Sequence, residues 1–277
     1  MEAPFEKHAF GTAFGQSDIL RSRLTYHEIT TVTKAYRYSV SAERFKEHVA
    51  ALQRFRGKTR YPPDITFDDG HISQIDNALP VLNSFGEKAT FFITAGWTGK
   101  RRAYMNWNHL RELHACGHEV LSHGWSHIHL TECSLSELAS ELIRSKHMLE
   151  DQLSASVDGI SMPGGRCNSR IISACAAAGY GRVFTSDPLE NMLSEDGVQV
   201  MGRWMVTRNM RGSRIVTLVR SKGTVVELLK VRHRVKEFAK YLIGERVYRP
   251  LWHALSNKGQ SLEEADQSYR SAEDRFQ

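Results

Sequence analysis

Three polar motifs in this chain each follow directly on a short apolar segment with the composition of a β-strand. Asp-Asp-Gly follows residues 64–67, two histidines four positions apart follow residues 118–122, and Pro-Gly-Gly follows residues 159–162. Segments with helical spacing separate these strands, and parallel sheets form where strands alternate with helices. The carboxyl ends of parallel strands meet at one edge. The sequence therefore predicts an α/β fold, a (β/α) barrel with all three motifs at one mouth.

The helices between the predicted strands begin at recognisable capping residues. Ser41 and Asn106 each precede an apolar helical pattern, and Ser134 with Glu137 forms a capping box. A further helix is predicted over residues 74–85, with Pro80 as a local irregularity. These helices fit the outer layer of a barrel.

The double aspartate and the histidine pair together have the composition of a metal site. Adjacent residues on an extended segment point in opposite directions, so Asp68 and Asp69 are expected to do different jobs. Histidines at positions i and i+4 can converge on one ion. Asp69, His123 and His127 are therefore the predicted ligands, and they leave coordination positions open for water and substrate.

Two classes of chemistry use such a ligand set. Two histidines with one carboxylate describe a hydrolytic zinc-type site, and they equally describe a non-haem Fe(II) oxygenase site. The free carboxylate of Asp68 and the Pro-Gly-Gly segment favour hydrolysis. Zn²⁺ is the expected ion, and Co²⁺, Ni²⁺ and Fe²⁺ also suit these ligands.

The cysteine pattern and the lack of a recognisable secretory signal favour a cytoplasmic protein. The chain has a net charge of +6 and four cysteines with no C-x-x-C pair. Residues 1–20 contain no apolar core of the kind that a secretory signal requires, and no stretch is long and apolar enough to cross a bilayer. Reduced thiols and a cytoplasmic location are therefore expected.

The motif-bearing segment 24–205 resembles the polysaccharide deacetylase family (carbohydrate esterase family 4). Residues 66–70 read T-F-D-D-G, residues 122–127 read S-H-G-W-S-H, and residues 161–166 read S-M-P-G-G-R. They correspond, in order, to the family's T-F-D-D-G motif, letter for letter, to its H-[ST]-x-x-H-like motif in the spacing of the histidines, and to its R-x-P-x-G-like motif after the first residue. The resemblance implies a distorted (β/α) barrel and metal-dependent removal of N-acetyl or related acyl groups from sugars.

The resemblance also implies roles for individual residues. Asp68 is expected to be the general base, with Asp69, His123 and His127 as metal ligands, and the backbone near Gly164 is expected to hold the oxyanion. The family's third motif begins with an arginine that orients the base, but this chain has Ser161 there. Arg166 is the expected replacement.

The acid that protonates the leaving amine has no recognisable motif in this chain. The family's late L-H-D-like motif is missing, which leaves His27 and His253 as candidates. The residues expected to contact substrate are His27, Trp125, Pro163, Gly165 and Asp187.

Positive charge is concentrated near the end of the sequence. Residues 208–249 contain twelve Lys and Arg against three Glu, and apolar residues recur there at helical spacing. Such a helix either packs on the barrel or lies on the anionic surface of the inner face of the membrane. No nucleic-acid partner is expected, because no recognised motif accompanies the charge.

The predicted organisation has four parts: an irregular segment over residues 1–23, the catalytic barrel over 24–207, a basic helical extension over 208–255 and a polar tail over 256–277. The predicted function is a metal-dependent hydrolase that removes an N-acetyl group from an amino sugar, oligosaccharide or glycan intermediate. Two alternatives remain open, hydrolysis of another small linear or cyclic amide, including deformylation, and a catalytically impaired sugar-binding protein.

Overall fold

The computed structural model describes residues 21–32, 36–56, 58–59, 62–188, 191–194, 196–220 and Val231. Eleven strands lie in this part of the chain: β1 (Arg23–Tyr26), β2 (Glu28–Thr30), β3 (Ser39–Ser41), β4 (Asp64–Phe67), β5 (Thr90–Ile93), β6 (Glu119–Ser122), β7 (Gly159–Ser161), β8 (Arg182–Thr185), β9 (Asn191–Leu193), β10 (Gln199–Gly202) and β11 (Trp204–Met205).

Six α-helices accompany the strands: α1 (Ala42–Arg56), α2 (Leu79–Ser84), α3 (Trp107–Ala115), α4 (Leu135–Leu153), α5 (Ser169–Ala177) and α6 (Gly212–Val219). The predicted caps are present, since Asn106 caps α3 and Ser134 forms a capping box with Glu137 at the start of α4. The helix predicted over 74–85 divides into a π-helical turn, Gln74–Ala78, and α2, with Pro80 in the first turn of α2.

Nine strands form one sheet in the order β11-β1-β4-β5-β6-β7-β8-β10-β9. Eight of them are parallel to their neighbours, and β9 runs antiparallel to β10 at one edge. The parallel strands curl into a nearly closed barrel with helices outside, so the predicted (β/α) barrel is confirmed. Strands β2 and β3 form a separate small sheet.

One residue joins the two ends of the parallel sheet. Gly202 ends β10, which lies beside β8, and Trp204 begins β11, which lies beside β1 at the opposite end of the strand order. Because only Arg203 separates these strands, the sheet must bring its ends together at this point. Arg203 is fully buried at this junction.

The barrel interior and the inner helix faces form one apolar core. Phe67 of β4 stacks on Phe91 of β5 with ring centroids 4.9 Å apart. Helix α1 buries Phe45, Val49 and Leu52 completely against the sheet, as the spacing predicts. This packing fixes the strands, and it places the residues after β4, β6 and β7 at the same end of the barrel.

Parts of the predicted organisation lie outside the described residues. They include residues 1–20, the polar tail over 256–277, and the basic extension after residue 220 apart from Val231. The described start of that extension contains α6, which packs against α1. In the described part of the chain, no helix has the length and apolar character needed to cross a membrane.

Candidate active site

Three predicted metal ligands converge at the mouth of the barrel. Asp69 lies on the turn after β4, His123 follows β6 directly, and His127 lies four residues later. The Nε2 atoms of both histidines are 3.2 Å from Asp69 Oδ1. One ligand atom from each residue lies within 4.8 Å of the others, as a shared metal ion requires.

The hydrogen bonds of this cluster favour a cation. His123 Nδ1 donates to the Ser161 carbonyl at 3.0 Å, so the Nε2 atom of the neutral ring carries a lone pair. Asp69 Oδ1 is buried and has no hydrogen-bond donor in the described part of the chain. Two acceptor atoms that face each other at 3.2 Å are stable only with positive charge between them. The residues therefore fit a divalent metal ion.

The pKa of Asp69 reflects the same positive environment. Burial acts to raise this pKa, but the adjacent imidazoles of His123 and His127 outweigh burial and hold it well below the usual range of an aspartate. Asp69 is therefore ionised and available as a ligand at neutral pH.

Asp68 has a different partner from Asp69 and pairs with Arg203. Arg203 Nη1 donates to Asp68 Oδ1 at 2.6 Å and Nη2 donates to Oδ2 at 2.9 Å, which makes a two-pronged contact. Nη2 also donates to Ser161 Oγ at 2.6 Å, and Nε donates to the Thr185 carbonyl at 3.4 Å. Both members of the pair are buried, so each partner satisfies the charge of the other.

The guanidinium keeps Asp68 ionised. Burial alone would raise the pKa of Asp68, but the charge and hydrogen bonds of Arg203, together with His123, lower it below the usual range. The two adjacent aspartates therefore have separate partners, as their alternation along the chain predicts.

Arg166 does not occupy the position predicted for it. Its Nη1 lies 3.2 Å from Glu132 Oε1, whereas Arg203 and Ser161 are the side chains that hold the Asp68 carboxylate. Ser161 Oγ lies 3.3 Å from Asp68 Oδ2, in the place where the family's third motif has its arginine. The expectation for Arg166 is therefore corrected, because the guanidinium comes from the junction of β10 and β11.

The Pro-Gly-Gly segment forms a tight turn beside the ligands. Gly164 and Gly165 have φ angles of 67° and 69°, in the left-handed region that favours glycine. The Gly165 N–H donates to the Met162 carbonyl at 2.8 Å. The Gly164 N–H has no acceptor among the residues that the structure describes, so it is available to a ligand. Pro163 is buried in this turn and shapes its wall.

His27 lies close to the metal-ligand cluster. Its ring stacks on Tyr38 with centroids 5.1 Å apart, and its Nδ1 is buried with no hydrogen-bond partner in the described part of the chain. Burial lowers the pKa of His27, although the nearby carboxylates of Asp69 and Asp68 oppose this shift. The structure therefore places His27 beside the ligand cluster, and its contact with substrate stays a prediction.

The other predicted substrate contacts lie further from the ligand atoms or have other partners. The Trp125 ring lies under the Arg144 guanidinium at 4.1 Å and near Lys100 Nζ at 5.4 Å. Asp187 lies on the turn after β8, where its N–H donates to Thr185 Oγ1 at 3.4 Å. His253 lies outside the described residues.

Aromatic side chains that the sequence analysis does not single out border the site. Trp97 packs on the ring of His127 at 5.1 Å, and Tyr104 packs on Trp97 at 4.6 Å. On another loop, Tyr36 contacts Tyr38 at 5.7 Å. Burial raises the pKa of Tyr36, and the charge of Asp69 adds to the shift, which places this phenol near the ligands. These four rings form the aromatic rim of the site.

Known proteins are similar to the part of the chain that carries these residues. The polysaccharide deacetylase family model matches residues 63–183, which include all three motifs. YxkH of Bacillus subtilis, which carries a polysaccharide deacetylase name, is 30% identical over 150 residues, covering 54% of this chain and 53% of that protein. A peptidoglycan-N-acetylglucosamine deacetylase of Bacillus cereus is 28% identical over 182 residues, covering 62% of this chain and 81% of the relative.

The fold has a counterpart among solved structures. The deacetylase PplD of Streptococcus pyogenes superposes with a TM-score of 0.64 at 22% identity, covering 72% of this chain and 97% of that one. The chain spans about half the length, or less, of the first curated relatives that it matches. Residues 63–183 carry the strands that end at the paired aspartates, the histidines and the Pro-Gly-Gly turn, and over this segment the chain is similar to the polysaccharide deacetylase family.

Proposed function

We propose that this chain is a metal-dependent hydrolase that removes an N-acetyl group from an amino sugar, oligosaccharide or glycan intermediate. The observation that carries the proposal is that the two adjacent aspartates have different partners. Asp69 faces His123 and His127, whereas Asp68 is paired with Arg203. A ligand set and an independent ionised base at one mouth are what hydrolysis of an amide needs.

Asp69, His123 and His127 would hold one divalent ion, with Zn²⁺ as the proposed metal and Co²⁺, Ni²⁺ or Fe²⁺ as alternatives. When bound, such an ion polarises the acyl carbonyl and makes a water easier to deprotonate. His123 is kept in the ligating tautomer by its hydrogen bond to the Ser161 carbonyl.

The protein's own groups divide the remaining work. Asp68 accepts the proton of the attacking water, because Arg203 keeps its carboxylate ionised and fixed in orientation. The free N–H of Gly164 donates to the oxygen on which negative charge develops. Because burial lowers the pKa of His27, its ring is mainly neutral at neutral pH, which suits hydrogen bonding to substrate better than proton donation.

The aromatic rim supports a carbohydrate substrate. Pyranose rings have faces made of C–H groups, and flat aromatic rings pack against such faces while their polar edges make hydrogen bonds. Tyr36, Tyr38, Trp97 and Tyr104 supply rings on two loops beside the ligands. Names of the relatives point the same way, since they include chitin and peptidoglycan-N-acetylglucosamine deacetylases.

Acetate release tests the proposed function. The metal-loaded protein is incubated with N-acetylglucosamine, chitin oligosaccharides, peptidoglycan fragments and lipid-linked N-acetylated sugars, and acetate is measured enzymatically. We expect acetate from at least one glycan, with Asp68→Asn reducing the rate by about 100-fold or more because the base is lost. Formate release from N-formylated amides, with no acetate from any glycan, would favour the alternative deformylase function.

A catalytically impaired sugar-binding protein is the other alternative. The missing third-motif arginine is an argument for this alternative. Arg203 weakens that argument, because its guanidinium binds the Asp68 carboxylate in place of the missing arginine. A protein that binds chitin oligosaccharides but releases no acetate with any of the four metals would restore that alternative.

We further propose that the protein works in the cytoplasm and contacts the inner face of the membrane through its basic extension. The support is the local excess of positive charge over residues 208–249. Co-sedimentation of the full chain with anionic and with neutral phospholipid vesicles tests the contact. Binding to anionic vesicles that is lost at high salt is expected, and equal recovery with both vesicle types contradicts it.

A further inference from the structure

Two of the three candidate metal ligands have a backbone conformation that side-chain-bearing residues disfavour. Asp69 has a φ angle of 73° and His127 has one of 63°; apart from these, Ser154 is the single non-glycine residue with positive φ in the described part of the chain. Such conformations persist only where the surroundings hold them, and they concentrate at functional sites. The ligand loops therefore need support from elsewhere in the fold.

The loop that ends at His127 is held by one buried carboxylate from α4. Glu141 Oε2 accepts hydrogen bonds from the backbone N–H of Trp125 at 3.0 Å and of Ser126 at 2.9 Å. Glu141 Oε1 accepts from Ser126 Oγ at 2.6 Å. Glu141 is only 8% exposed, so water does not compete well for these three bonds.

A similar contact holds the turn that carries Asp69. Gln74, fully buried in the π-helical turn, donates from Nε2 to the Asp68 carbonyl at 2.7 Å and to the His27 carbonyl at 2.8 Å. Each strained ligand segment is thus bound to a buried polar side chain that does not itself reach the ligand cluster.

We propose that Glu141 is a positioning residue for the metal site: it holds the 124–127 loop in its ligating conformation before metal binds, and it thereby sets the metal affinity. The inference rests on the metal-binding part of the proposed function and is independent of the substrate. Without Glu141, the N–H groups of Trp125 and Ser126 lose their acceptor, and the left-handed backbone of His127 loses the support of these bonds. Metal binding would then have to order the loop.

The test is the Zn²⁺ affinity of variants, measured by competition with a chromophoric chelator. Glu141→Ala is expected to bind Zn²⁺ about 10- to 100-fold more weakly, the usual effect of losing a group that orients a ligand. Glu141→Gln is expected to stay within about threefold of the unaltered protein, because its amide oxygen can accept both N–H bonds and its amino group can donate to Ser126 Oγ. Glu137→Ala, on the same helix, is the matched control.

Glu137 is an exposed carboxylate in the α4 capping box, so its removal changes charge and helix stability without touching the loop. Zn²⁺ affinity of Glu141→Ala within threefold of the Glu137→Ala control would overturn the proposal. Equal losses in Glu141→Ala and Glu141→Gln would also overturn it, since charge rather than hydrogen bonding would then be responsible. Circular dichroism of the metal-free proteins checks folding.

Ser126→Ala provides a second variant if Glu141→Ala does not fold. It removes one of the three bonds, and Zn²⁺ binding about threefold weaker is expected, whereas unchanged affinity contradicts the proposal. Both readouts are metal affinities, so a failure to release acetate from any glycan would count against the proposed function and leave this inference untouched.

Discussion

Arg203 illustrates how one buried residue can serve both the fold and the chemistry. It is the single residue between β10 and β11, and its guanidinium reaches the base across the barrel interior. Its remaining donors bond Ser161 and Thr185, and its charge lies 4.9 Å above the Phe92 ring. A buried cation with this many partners is costly to lose, because removal leaves the Asp68 carboxylate buried and unpaired.

Arg203→Lys tests this role at the residue scale. Lysine keeps the charge but cannot make the two-pronged contact, so the pKa of Asp68 should rise and its orientation should loosen. Only the ionised carboxylate of Asp68 acts as the base. A higher pKa of Asp68 therefore moves the acid limb of the pH dependence of kcat/KM to higher pH. We expect that shift, a loss of about 100-fold in kcat/KM at neutral pH and unchanged metal content.

An exchange of the two positions provides the control. Ser161→Arg combined with Arg203→Ser returns the guanidinium to the place where the family's third motif has it, with the same residues in the same pocket. The double variant is expected to recover at least about tenfold in kcat/KM over Arg203→Ser alone. An unchanged acid limb in Arg203→Lys would show that Arg203 does not control the base.

The elements that carry the site could be predicted from the sequence to different extents. The strand Asp64–Phe67 has the predicted bounds, because its β-branched and aromatic residues end at a polar turn. Strands β10 and β11 were not predicted, since they are short and no turn residues separate them. Arg203 could have indicated these strands, because it is the one charged residue in the mainly apolar segment 198–206 and a charge in a buried strand needs a partner.

The Pro163–Gly165 turn is the element on which the backbone donor depends. Gly164 has positive φ, and an added Cβ would lie 2.6 Å from His129 Nδ1. Gly164→Ala should therefore move the turn, lower kcat by about 100-fold and reduce stability by about 1–2 kcal/mol or more. Steady-state kinetics and urea unfolding measure both effects.

Gly86→Ala is the matched control for that variant. Gly86 also has positive φ, 64°, but nothing lies within 4 Å of an added Cβ. It should show the backbone cost of about 1–2 kcal/mol without any loss of kcat. Equal kcat values for both variants would contradict a role for the Gly164 turn in catalysis.

At the scale of the whole molecule, buried neutral histidines connect the fold to pH. His48 accepts from the Tyr26 hydroxyl at Nδ1, 3.2 Å, and donates from Nε2 to the Met210 carbonyl at 2.8 Å. Burial lowers the pKa of His48 below its usual 6.5, and burial also lowers the pKa of His27 and His118. The folded protein therefore binds fewer protons than the unfolded chain in mildly acidic solution.

The free energy of unfolding should consequently decrease as the pH falls from about 7.5 to about 5.5. A buried histidine has a lower pKa in the folded protein than in the unfolded chain. The unfolded chain therefore takes up protons first as the pH falls through the pKa of the unfolded state, and this uptake destabilises the folded protein. His48→Gln removes one of these groups, so its free energy of unfolding should vary less over this range, although it starts lower. Urea titrations of both metal-free proteins at the two pH values provide the comparison. A variant with the same pH dependence as the unaltered protein would exclude His48 as a contributor.

The division of labour between the adjacent aspartates is the central claim, and metal stoichiometry per chain tests it most directly. Asp68→Asn and Asp69→Ala are purified in parallel, loaded with Zn²⁺, freed of excess ion and analysed by mass spectrometry. Asp69 faces both histidines, whereas Asp68 is paired with Arg203. We therefore predict about one Zn²⁺ in Asp68→Asn, with acetate release slowed by about 100-fold or more, and no retained Zn²⁺ in Asp69→Ala. Full metal content in Asp69→Ala, or metal loss in Asp68→Asn, would contradict the account.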